Sequence, residues 1–92
     1  MDLLDLIEHV NDQESFLAFA KALEEDKRDE TKKEIYEPSS PYSHGANGWQ
    51  NSSIEDFLES AIAFAEDSVT WQTENNMWKK FALFLVGGKI YE

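Results

Sequence analysis

The stretch SSIEDFLESAIAFAED, residues 52–67, decides the fold. Ser52 with Glu55, and Ser53 with Asp56, both have the spacing at which a serine hydroxyl accepts a free N–H at the start of a helix. Glu55 and Asp56 also fall in the first turn, where the helix dipole favours negative charge. Beyond them Ile54, Phe57, Leu58, Ala61, Ile62 and Ala65 recur at three- and four-residue intervals, and Phe64 widens the band. That periodicity predicts an amphipathic helix over 53–67 whose apolar stripe is explained by core burial.

Upstream lies EPSSPYSHGANGW, residues 37–49, whose two prolines, two glycines and small polar side chains cannot hold a helix or a central strand. It defines a central loop at about 36–51, and a loop of roughly fifteen residues is usually either functional or mobile. Trp49 has two readings. It is a recognition residue carried on the loop, or its indole lies over Phe57 and seals the start of the next helix, with Gly45 and Gly48 setting the turns. The second is the simpler account. Tyr42, His44, Asn47, Trp49 and Asn51, with Gln50 among them, are the amphipathic and hydrogen-bonding side chains expected to form a partner-binding surface, if the loop carries one.

Towards the N-terminus, Leu3, Leu6, Ile7 and Val10 mark a short amphipathic helix. Asn11 with Glu14, or Asp12 alone, can cap a second helix near 12–30 whose apolar face is Phe16, Phe19, Ala20 and Leu23. Its continuation, EEDKRDETKKE, has no apolar face. Glu24 with Arg28 and Asp29 with Lys33 are acid-before-base pairs four apart, each worth ~0.2–0.5 kcal/mol on an exposed helix. A solvated helix end is the simplest reading of that run, and a charged docking surface the other.

Towards the C-terminus, SVTWQT reads as a short polar connection with Trp71 as a core or edge contact. Thr73 is expected to cap a last helix near 74–86. In it Trp78, Phe81, Ala82 and Leu85 share a face, while Met77, Phe84 and Val86 make it apolar nearly all round. Such a helix is buried on several sides or covered by a partner. Gly87 and Gly88 are expected to end it through positive φ, leaving Ile90 and Tyr91 in a tail folded back on the body. The whole chain, 1–92, reads as one all-α domain: three main helices in antiparallel packing plus the short N-terminal one.

At 92 residues such a domain buries only ~60–70% of its unfolded surface, and the 6 Phe, 3 Trp and 3 Tyr supply the large apolar area per residue that a small core needs. Nineteen acidic against eight basic residues give a net charge of −11, a sign that repels phosphate backbones and anionic headgroups. Nucleic acid and membrane surfaces are therefore poor partner candidates; the charge reads most simply as a solubility-favouring acidic coat, and otherwise as an acidic face that docks a basic protein partner. With no cysteine, disulfide, thiolate and Cys-nucleophile chemistry is closed. The longest apolar run, Phe81 to Val86, is too short to span a bilayer, and no signal peptide is apparent, so a cytoplasmic protein is expected.

Nothing in the chain predicts catalysis. His9 and His44 stand far apart and outside any zinc pattern, so no metal and no cofactor is expected. Carboxylate pairs such as Glu55 with Glu59 lie on hydrophilic faces, without the desolvation a general acid needs. The serines lack a nucleophile elbow, and no phosphate-binding loop is present.

Four motifs together carry a resemblance: Glu14 to Leu23, GWQN at Gly48 to Asn51, Ser53 to Asp67, and Trp78 to Glu92 ending in GKIYE. In these the chain resembles a family of small acidic bacterial proteins of unknown function, most weakly across Glu24 to Glu37. The resemblance implies no reaction. A likeness to small acidic immunity proteins of toxin systems is one of size and charge, an analogy. The expected function is thus a non-enzymatic protein-binding module, immunity- or inhibitor-like, that masks a basic partner. A homodimer completed by the last helix, and a small-ligand binder or enzyme using the loop, are the alternatives.

Overall fold

The computed structural model describes residues 3–36, 47–49 and 53–91. They form five helices, α1 (Leu3–Ile7), α2 (Gln13–Tyr36), α3 (Ile54–Asp67), α4 (Val69–Thr73) and α5 (Met77–Ile90), with no strand among them. The all-α class and the helical bundle are as the sequence predicts. Tyr42, His44, Gln50, Asn51 and Ser52 lie outside the described residues.

The starts of α2, α3, α4 and α5 each have a local chemical cause. Asp12 Oδ1 accepts the Ser15 N–H at 2.8 Å. In return Ser15 Oγ accepts the N–H groups of Asn11 and Asp12, so a serine does the work usually given to Glu in a capping box. Ser53 caps α3 by accepting from the Asp56 N–H at 3.2 Å. Ser68 caps α4 through the Trp71 N–H, and Asn76 caps α5 through the Lys79 N–H.

The last third of the chain departs from its sequence reading. Ser68–Thr73 is not a plain connection: it contains the single-turn helix α4, whose Trp71 donates its indole N–H to the Lys80 carbonyl at 2.9 Å. Thr73 ends α4 and does not cap the next helix. Gly87 and Gly88 do not stop α5; both are buried inside it, and Gly48 holds the one positive φ among the described residues. The glycines serve close approach instead. A Cβ on Gly87 would stand 2.5 Å from the Phe64 ring, and one on Gly88 would stand 2.6 Å from the Phe57 ring. Helix therefore continues through Lys89 and Ile90, and Tyr91 folds over α3, its ring edge-on to Phe64 and its hydroxyl donating to Asp67.

The all-round apolar character of α5 has its explanation here. It lies against each of the other helices, while α2 and α3 do not approach one another. Ala82 and Val86 of α5 join Ile7, Val10, Phe19, Leu23 and Trp49 in the buried core. Phe16, Trp78 and Phe81 form a cluster of rings with centroids 5.7–6.2 Å apart, and Trp71 packs on Phe84. The chain's own helices occupy part of the apolar circumference that suggested a homodimer, but Met77 and Phe81 remain exposed.

Two further corrections bear on function. On α3, Ala61 and Ala65 are buried and Phe57 and Phe64 half-buried, but Ile54, Leu58 and Ile62 are exposed. Only the inner half of the predicted stripe enters the core. On α2, the helix runs on to Tyr36, and Glu30, read as part of a solvated charge run, is 3% exposed.

Candidate functional site

Asn47, Gly48 and Trp49 lie between α2 and α5, and Glu30 is the reason. Gly48 at φ +82° turns the backbone so that two N–H groups converge on one oxygen. Glu30 Oε1 accepts from Asn47 at 3.1 Å and from Trp49 at 3.2 Å. Neighbouring N–H groups aimed at one point form an anion-binding concavity, and here the anion is a carboxylate of the same chain. Glu30 Oε2 takes the Lys27 ammonium at 2.9 Å, so both carboxylate oxygens are satisfied despite burial.

Trp49 is 8% exposed. Its ring stacks on Phe57 at 6.1 Å between centroids and 29° between planes, as its position ahead of α3 predicts. Its indole N–H donates to Asp26 Oδ2 at 2.8 Å, and the same oxygen takes the Lys89 ammonium at 2.7 Å. The ammonium groups of Lys27 and Lys89 lie 5.4 and 5.5 Å from the indole centroid, where the ring quadrupole attracts them. Asp26 thereby ties α2, α5 and the central segment at one point.

The Asn47 side chain is equally committed. Its amide nitrogen donates to the Asp26 carbonyl and to Asp29 Oδ2, and its amide oxygen accepts from Lys33. The Asn47 amide, and then Lys33, hold the Asp29 carboxyl below its ordinary pKa. Of the residues expected to form a binding surface, the structure thus brings Asn47 and Trp49 together, both turned onto α2 with their polar atoms engaged.

Hollows flank this anchor. One of about 500 Å³ is bordered by Glu25, Asp26, Asp29, Asn47 and Lys89. Another of about 450 Å³ runs along Ala20, Leu23, Glu24, Trp49 and Leu85. Among the described residues no three His, Asp or Glu side chains are grouped to hold a metal ion, and no helix is long and apolar enough to cross a membrane.

The sequence reading missed Glu30 and Asp26. Their partners are backbone and indole N–H groups 17 to 23 residues away, a distance at which helical periodicity says nothing. The signal present was Gly48 beside a tryptophan: a glycine free to turn its neighbours' N–H groups towards an anion.

A small all-α protein whose residues 47–49 are held against α2 and α5 is the class this geometry defines. The chain matches the family of unknown function DUF7660 over residues 12–92 and belongs to that family. No curated protein and no solved structure matches it.

Proposed function

We propose that the protein is a non-enzymatic protein-binding module, of the immunity or inhibitor type, that masks a basic partner. The observation that carries this reading is how its charges are distributed. At least five of the eight basic residues pair with the chain's own carboxylates: Lys27 with Glu30, Arg28 with Glu24, Lys33 with Asp29, Lys79 with Glu8 and Lys89 with Asp26. Most of the cations are spent internally, while the chain keeps a large acidic surplus. A surface of that kind steers a cationic protein into encounter and rejects anionic ones.

The test is recovery of a specific partner from the native host, followed by titration of that partner across salt concentrations. Tight binding that weakens steadily with salt is expected. Finding that no basic protein from the host binds the chain specifically would remove the reading.

A further inference from the structure

The apolar stripe left outside the core on α3 has a defined chemistry at its border. Ile54, Leu58 and Ile62 stand four residues apart on one row and are 76%, 45% and 49% exposed. The row is about 12 Å long at helical rise, two turns of ridge of the sort that packs beside another helix. Glu55, Glu59 and Glu66 lie along its outer edge by helical periodicity, and all three are exposed.

Charge on α3 is of one sign. It holds five carboxylates and no Lys or Arg, and no ion pair among the described residues reaches it, whereas those of α2 are paired repeatedly. Glu66 and Asp67 moreover fall in its last turn with no basic residue there, where the helix dipole disfavours negative charge. Asp67 is answered by the Tyr91 hydroxyl. A cation arriving beside Glu66 relieves an arrangement for which the described residues supply no basic partner.

We propose that the outer face of α3 is the docking surface, and that its occupant is a cationic amphipathic helix of a partner protein. That helix lays an apolar row along Ile54, Leu58 and Ile62 and sets Lys or Arg against Glu55, Glu59 and Glu66. This inference rests on the proposed function and adds the place and form of the contact.

A synthetic helical peptide of leucine and lysine, about 18 residues long with leucine on one face, serves as the probe, and its leucine–glutamate counterpart as the control. Backbone amide shifts of the full chain report where it binds. The expected result is perturbation concentrated on residues 54–66 by the cationic peptide alone. Leu58→Ser with Ile62→Ser should weaken binding at least about tenfold, and Glu55→Gln with Glu59→Gln by a similar factor, with the melting temperature of both variants near that of the parent.

Perturbation of α2 in place of α3, or binding unchanged in the serine variant, overturns the α3 assignment while leaving the proposed function standing. No binding of the cationic peptide anywhere overturns the assignment too, and only failure to find a host partner removes the wider reading. Light scattering covers the remaining occupant: a dimer that the serine substitutions dissociate means that a second copy of the chain holds this face, and the proposal falls.

Discussion

Glu30 accepts the backbone N–H of Trp49 at 3.2 Å across 19 positions of sequence. A buried carboxylate in the middle of a charge run is thus a structural anchor for the segment that precedes α3. Removing it strands the buried Trp49 N–H, the half-buried Asn47 N–H and the Lys27 ammonium, which is more costly than losing an exposed charge.

Glu30→Ala is therefore expected to destabilise the protein by about 3 kcal/mol in urea unfolding, and Glu30→Gln, which keeps one acceptor oxygen, by about half as much. A loss below about 0.5 kcal/mol for the alanine variant, the range of ordinary surface changes, would mean the anchor is not formed in solution.

Trp49→Ala is expected to cost about 3 kcal/mol, the scale for a buried aromatic. Trp49→Phe keeps a ring to stack on Phe57 and loses only the indole hydrogen bond, so it should cost about 1 kcal/mol, with Asp26 still held by Lys89. Equal losses in the two variants would place the stabilisation in the hydrogen bond and not in packing.

Gly87→Ala and Gly88→Ala oppose two effects. Alanine favours a helix interior by ~0.5–1 kcal/mol over glycine, but each new methyl meets a phenylalanine at 2.5 or 2.6 Å, and overpacking of a core costs about 1–3 kcal/mol. Both variants are expected to melt at lower temperature than the parent. A rise in melting temperature for either would show that α3 and α5 are farther apart than described.

Acid should remove the stability contributed by the cap of α2 and by the Asn47 anchor. Asp12 is held below its ordinary value by the Ser15 hydroxyl and then by the Ser15 N–H, and Asp29 by the Asn47 amide and then Lys33. A carboxyl with depressed pKa contributes stability that is complete above the unfolded value of about 4 and is lost as pH falls through the folded one. Stability measured from neutral pH downward should decline below about pH 4, less steeply in Asp12→Asn and Asp29→Asn. An acid limb identical in parent and variants would sink this assignment.

Local chemistry made much of the fold readable in advance. Ser53 announces α3, the row Phe16, Phe19, Leu23 announces the inner face of α2, and the neighbourhood of Trp49 and Phe57 follows from a glycine turn just ahead of a helix. What stayed hidden depends on elements meeting across the chain. Gly87 and Gly88 at the end of an apolar run look like a helix stop, and only the position of Phe57 and Phe64 shows them to be a recess. Ile54, Leu58 and Ile62 share the period of Phe57 and Ala61, so no pattern within α3 tells which flank α5 will cover. Of the candidate site, the inward role of Asn47 became visible only with Glu30, Asp26 and Asp29 beside it.

The fit of Phe64 against Gly87 has a genetic meaning. The two positions are expected to behave as one inherited character, a larger residue at 87 being accepted only beside a smaller one at 64. Gly87→Ala should therefore be rescued in part by Phe64→Leu, and a screen for suppressors of a helix-seam defect should return substitutions at Phe57 and Phe64 ahead of any on α2.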